Sequence, residues 1–227
     1  LYQKIFLIAS AALYPKFTLL KQSSAYFVPM DTNDIHTQRA LFFPWQQGIS
    51  ERLVITDLDR FTSTLTNQHI PIMKQLILNY QKITSIAIAG NSGSGKSYML
   101  TYLLSVLEHI SDLIIVDPKF DTPSRWARIH DINVIHPHQN RSKSDFLSEV
   151  NENLSHCLQI IQRRQTTLYD DPDYQFEHLT IVIDEVLALA EGVNKAIKDA
   201  FFSLLSQIAL LGRATKVHLL LVSQRFD

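Results

Sequence analysis

Apolar residues in the C-terminal two thirds of the chain fall into two alternating rhythms. Four short, unbroken apolar runs stand out: ITSIAIAG (83–90), DLIIVDP (112–118), HLTIVIDE (178–185) and VHLLLVS (217–223). They are rich in β-branched residues and bounded by polar or turn residues, the signature of strands buried on both faces. Between them lie longer stretches with a period near 3.6, SYMLTYLLSVLEHI (97–110) and VNKAIKDAFFSLLSQIALLG (193–212), the latter closing on Gly212 as a stop signal. In DFLSEVNENLSHCLQIIQRRQTTLY (145–169), Phe146, Val150, Leu154, Cys157, Leu158 and Ile161 share one face of a long amphipathic helix. Unbroken strands alternating with helices predict an α/β fold, a mostly parallel sheet with helices on both faces.

The first 66 residues follow no such alternation. AYFVPM (25–30) and ERLVITDL (51–58) predict short strands, and TQRALFFPW (37–45) a strand or turn. The expectation is a small β-rich appendage over 1–66 and the α/β core over 67–227. At the junction, PIMKQLILNYQK (71–82) places Ile72, Leu76, Ile77 and Tyr80 on one helical face, with Pro71 suited to a first turn.

Composition narrows the class. Of 227 residues, 46% are hydrophobic and 19% charged, which describes a core-forming chain rather than a disordered one. A single cysteine, Cys157, excludes an internal disulfide and makes a reducing compartment the default. A net charge of −1 cannot hold a polyanion through the whole-molecule field, so any nucleic acid would need a local patch or several copies acting together. The apolar stretch IFLIASAALYPKFTLL (5–20) is interrupted by Pro15 and Lys16 before it could span a bilayer. The chain opens on Leu1 rather than Met, so it is expected to be a soluble piece of a longer protein.

Chemistry concentrates at the ends of the predicted strands. GNSGSGKS (90–97) fits the phosphate-binding G-x-x-x-x-G-K-[ST] pattern directly after a strand and before a helix, the context that pattern requires. Backbone N–H groups of Gly90, Asn91, Ser92, Gly93, Ser94 and Gly95 would close around phosphates. Lys96 would reach the β and γ oxygens of ATP, and Ser97 would hold Mg²⁺. The run ending in Asp184 and Glu185 puts two carboxylates at the edge of the sheet where open α/β folds bind ligands. Asp184 would hold the Mg²⁺ shell through water. Glu185 would take a proton from, or orient, the attacking water, which points to hydrolysis.

In P-loop ATPases of RecA-like layout, the strand beside the acidic one ends near the γ-phosphate. Gln224 stands at such an end, either to contact the γ-phosphate and water or as an ordinary surface residue. Arg213 lies at the other end of that strand, roughly 25–35 Å away by chain length. It is either a trans arginine finger for an adjacent subunit's nucleotide or a cation completing a helix dipole. Arg225 is a second finger candidate.

AGNSGSGKSYML, LIIVDPKFD, IVIDE and LLGRATKVHLLLVSQRFD together resemble the FtsK/SpoIIIE branch of the FtsK–HerA ATPases, above all the TcpA-like coupling proteins of conjugative elements. The resemblance covers roughly 70–227, and its more specific parts are Asp117-Pro118-Lys119 and the Gly-Arg…Ser-Gln-Arg ending. It implies a hexameric ring that moves DNA with ATP and delivers it, with a relaxase complex, to a membrane secretion channel from the cytoplasmic face of the membrane. It implies the roles above for Lys96, Ser97, Asp184, Glu185 and Gln224, and supports Arg213 as the finger. The family's membrane anchor and the sequence beyond its Gln-Arg strand are not in this chain. Asp117 reads as a metal neighbour and Lys119 as facing the pore or the nucleotide, or both equally as an ordinary strand-ending turn. The alternatives are a secretion ATPase of the type IV channel machinery working on protein, or an ATP-gated adaptor that recruits a relaxase complex without translocating anything.

Weaker signals read as structure. His136 and His138 lie in a polar loop without metal-site partners, Lys195 and Lys198 on a solvated helix face, and Trp126, between Arg125 and Arg128, packs under a loop or stacks on a base.

Overall fold

The structure, a computed structural model, describes residues 1–20, 22, 24–49, 53–65, 68–74 and 76–226. The chain forms two compact units, one from Leu1–Val54 and Pro71–Ile77, the other from Ile55–Ile70 and Leu78–Asp227.

The first unit begins with α1 (Tyr2–Leu13), a helix the short-strand reading of this region did not include. Two antiparallel ribbons follow, β1 (Phe17–Leu19) with β4 (Trp45–Gln47) around β2 (Tyr26–Pro29) with β3 (Arg39–Phe42). Aromatic pairs hold them, Phe17 edge-on to Trp45 across the first ribbon and Tyr26 edge-on to Phe42 across the second.

In the stretch read as a strand at 51–58, residues 51 and 52 lie outside the described residues. No strand forms from Leu53 onward, because Asp57 accepts from the Arg60 amide and caps α2 (Leu58–Ser63) instead. Among the described residues of 71–82 the expected helix is also absent. The chain makes β5 (His69–Met73) and β6 (Leu76–Asn79), then a 3-10 turn at Tyr80–Lys82. With β-branched Ile70, Ile72 and Ile77 so closely spaced, the apolar positions satisfy both periods, and a hairpin wins.

The catalytic-looking half of the chain matches the expected alternation. It runs β7 (Ser85–Ala89), α3 (Lys96–Leu107), β8 (Ser111–Val116), α4 (Thr122–Ile129), β9 (Val134–Ile135) and α5 (Lys143–Asp170). It continues through β10 (His178–Ile183), α6 (Val186–Ala190), α7 (Lys195–Leu211) and β11 (Val217–Ser223). The sheet has five strands, all parallel, in the order β7-β11-β10-β8-β9. Strand β9 and helices α4 and α6 went unread because two, eight and five residues are too few for a period to declare itself.

Every residue of β10 is buried. Its Leu179, Ile181 and Ile183 pack with Val150, Leu154, Cys157 and Ile161 of α5 and with Phe201, Leu205 and Ile208 of α7. By strand alternation, Thr180 and Val182 face the opposite layer, where α3 buries Leu100, Leu103, Leu104 and Leu107. Each such side chain contributes about 1.5–3 kcal/mol. Burial holds the Cys157 thiol protonated by pushing it up to about 11, so it is a plain core thiol. The long helix α5 starts on a reciprocal cap, Ser142 accepting from the Asp145 amide while Asp145 accepts from the Ser142 amide.

Helix α7 stops for a different reason from the one its glycine suggested. Gly212 has φ −69, in the right-handed region. A Cβ there would collide with the Val217 carbonyl, so it is close backbone approach that demands glycine. The positive φ in the turn falls on Lys216, at +56.

Candidate active site

A parallel sheet delivers the ends of all its strands to one edge, and the order of strands decides which residues meet there. Strand β11 lies between β7 and β10, so Gln224 emerges between Gly90, after β7, and Asp184, after β10. One cleft of about 280 Å³ is lined by Ser92, Gly93, Gly95, Lys96, Ser97, Lys119, Asp184, Glu185 and Gln224, among others. The predicted P-loop, acidic pair and glutamine therefore share a single site. Arg213 does not join them. It is exposed in the turn leading into β11, at the opposite edge of the sheet.

The loop after β7 turns through Gly93 (φ +76) and Gly95 (φ +92), conformations that open backbone N–H groups toward the N-terminus of α3. That combination of amide nest and helix dipole suits phosphate. Lys96 folds over the loop, its Nζ donating to the carbonyls of Gly90 at 2.6 Å and Asn91 at 3.2 Å.

Asp184 accepts from the Glu185 amide at 3.0 Å. Burial, reinforced by the nearby Glu185 and Asp117 carboxylates, pushes its carboxyl up to about 6. A carboxylate crowded in this way gains from a cation, so with Ser97 it fits Mg²⁺ entering with a nucleotide. Among the described residues no cluster of three or more His, Cys, Asp or Glu side chains forms a metal cage. Mg²⁺ sites built on one or two protein ligands and phosphate have no such cage.

Glu185 is constrained by both backbone and burial. It is a buried non-glycine residue in the left-handed region, φ 47 and ψ 51. Its Oε1 accepts from Lys119 Nζ at 2.7 Å. That hydrogen bond raises the Lys119 ammonium above its usual range against the effect of burial, so the lysine stays charged.

The structure separates the two ends of the Asp-Pro-Lys motif. Asp117 is fully buried, and both its oxygens are taken by its own loop: Oδ1 by the Lys119 amide, Oδ2 by the amides of Asp121 and Ser124 and by Ser124 Oγ. It organises a strand-ending turn. Lys119, half exposed, enters the cleft, a position its spacing from the motif alone could not assign. Trp126 is buried, donates from Nε1 to Ser105 Oγ and stacks on His130, which settles it as packing.

No known family's sequence model matches the chain. It is 26% identical over 168 residues to the FtsK domain-containing protein YdcQ of Bacillus subtilis (strain 168), a match covering 71% of this chain and 34% of that protein. The chain thus spans about a third of the length of that curated relative. Among solved structures, the conjugation coupling protein TcpA of pCW3, a monomer with ATPγS, matches all of this chain and 64% of its own at TM-score 0.53 and 15% identity. EssC (ATPases 2 and 3) of Geobacillus thermodenitrificans matches 78% of this chain and 35% of its own at TM-score 0.52 and 15% identity. The cytoplasmic domain of the type VII secretion ATPase EccC of Thermomonospora curvata matches 70% and 22% at TM-score 0.51 and 21% identity. The chain is similar in sequence to an FtsK-domain protein and has the fold of these ATPases, as its motifs led one to expect.

Proposed function

We propose that this chain is the ATP-hydrolysing core of a DNA translocase of the conjugative coupling kind. The observation that carries the reading is the convergence of Lys96, Ser97, Asp184, Glu185 and Gln224 on one cleft at the C-terminal edge of the sheet. Lys96 and the loop amides bind and orient the phosphates of ATP, and Gln224 contacts the γ-phosphate end. Ser97, and Asp184 through water, would hold Mg²⁺, which would supply charge neutralisation for the phosphates. Glu185 takes the proton of the water whose oxygen attacks the γ-phosphorus, and the leaving ADP keeps the bonding electron pair.

In this reading subunits form a hexameric ring, Arg213 acts on the neighbouring site, and DNA is passed with a relaxase complex to a secretion channel at the cytoplasmic face of the membrane. Support for the DNA half comes from the Asp-Pro-Lys and Gly-Arg…Ser-Gln-Arg motifs and from a coupling-protein match that spans the whole chain. Among the described residues no helix is long and apolar enough to cross a membrane. A second reading, a secretion ATPase acting on protein, is favoured by the fold shared with EccC and EssC.

Steady-state ATP turnover with single-stranded DNA, with double-stranded DNA and without either separates the two. Stimulation by DNA that fades steeply between low and physiological salt supports translocation. Turnover indifferent to DNA but raised by a secreted polypeptide moves the assignment to protein secretion. ATP binding without turnover under any condition favours a nucleotide-gated adaptor.

A further inference from the structure

The cleft holds a lysine that neither the P-loop nor the acidic pair accounts for. Lys119 leaves β8, crosses to the neighbouring β10 and donates to Glu185 Oε1 at 2.7 Å. Its reach is not accidental, because Asp117 holds the loop from both ends through the amides of Lys119 and Ser124 and the Ser124 hydroxyl. Pro118 further restricts the backbone between them. A fully buried, fully bonded aspartate is a rigid anchor, and it sets the stem from which Lys119 extends.

Charge in the cleft makes the pairing one-sided. Lys96, the other lysine there, is committed to the carbonyls of Gly90 and Asn91. Among the described residues Lys119 is the cation bonded to Glu185, while Asp184 receives a backbone amide. The carboxylate it holds sits on a left-handed residue with little backbone freedom, so orientation is set almost wholly by the side chain and this bond.

We propose that Lys119 is a positioning residue that fixes the direction of the Glu185 carboxylate, so that one oxygen is held by the ammonium and the other is presented to the attacking water. This rests on the hydrolytic reading above and adds to it the residue that aims the base. Its effect travels through Glu185 rather than through the phosphates.

The test is single-turnover and steady-state ATP hydrolysis by Lys119→Met and Lys119→Arg, each alone and combined with Glu185→Gln, with ATP affinity measured in parallel. Lys119→Met should lower kcat by about 10- to 100-fold with KM and ATP affinity unchanged, a loss of the size that misaligned catalytic groups give. Lys119→Arg should recover most of it, since the guanidinium reaches the same oxygen. In the Glu185→Gln background Lys119→Met should change nothing, because the two residues act as one unit. Equal losses in both backgrounds, or loss of ATP affinity, would overturn the proposal in favour of direct phosphate contact. Full activity in Lys119→Met sinks this inference alone. No turnover by the wild type sinks the hydrolytic reading, and this one with it.

Discussion

Arg213 and Gln224 stand at opposite ends of the same strand. Gln224 follows β11 at the edge that carries the cleft, and Arg213 lies in the turn that leads into it. The strand between them, seven residues at about 3.3 Å each, is itself roughly 23 Å long. One subunit cannot bring both to one nucleotide, so if Arg213 takes part in catalysis it does so on a neighbour.

Arg213→Ala should therefore leave ATP affinity intact and lower turnover by about a thousandfold, the scale of a lost arginine finger. Mixing it with inactive Glu185→Gln protein should restore activity, because a mixed contact joins an intact Glu185 to an intact Arg213. Turnover in the mixture no higher than in either variant alone would leave Arg213 as a helix-end cation.

Gln224→Ala should behave as Glu185→Gln does. If Gln224 acts in its own subunit's cleft, mixing with Arg213→Ala should restore turnover, whereas mixing with Glu185→Gln, whose defect lies in the same cleft, should not. The measurement is the same mixing titration, read as activity against mole fraction.

The turn into β11 gives a stability prediction. Gly212→Ala should cost about 1–3 kcal/mol by forcing a Cβ into the Val217 carbonyl, whereas Lys216→Gly, at φ +56, should stabilise by about 1 kcal/mol. Denaturant unfolding of the two variants beside the wild type checks both signs.

This turn also marks where sequence reading stops. The apolar runs of β7, β8, β10 and β11 were legible because buried parallel strands are unbroken, and the P-loop because its glycines, lysine and serine are tied to a strand and a helix. Which strands are neighbours is not written in any run, so the meeting of Gln224 with Asp184 rested on a layout shared by RecA-like ATPases. The hairpin β5–β6 has the sequence pattern of a helix as well, because its closely spaced isoleucines fit both periods. The place of Lys119 is not legible in sequence, because a lysine directly after a proline has no spacing that points it anywhere; Asp117, buried and bonded to its own loop, does the pointing.

Buried histidines at the far edge of the sheet predict a pH dependence. His218 Nδ1 lies 2.7 Å from the Ile83 carbonyl and its Nε2 2.7 Å from His178 Nδ1. The carbonyl can only accept, so His218 carries its proton on Nδ1 and accepts from His178. Burial lowers His218 to about 4 and His178 in the same direction. Both are thus neutral when folded and take up protons more readily when unfolded. Their contribution is fully present above the ordinary histidine value and is lost as pH falls toward that of the folded state. Asp184, raised to about 6, works the other way over the same range. With that carboxyl removed in Asp184→Asn, unfolding free energy should fall by about 2 kcal/mol between pH 7 and pH 5. A flat profile, or ring resonances of His218 titrating near the ordinary value, would contradict the assignment.

The most direct test of the site as a hydrolytic one is to compare wild type with Glu185→Gln for ATP binding and ATP turnover in the same preparations, with DNA present. Glutamine preserves shape and removes the base, so binding should persist while turnover falls by about 10²–10⁴-fold. Turnover unchanged by the substitution would remove Glu185 from the chemistry and the account with it.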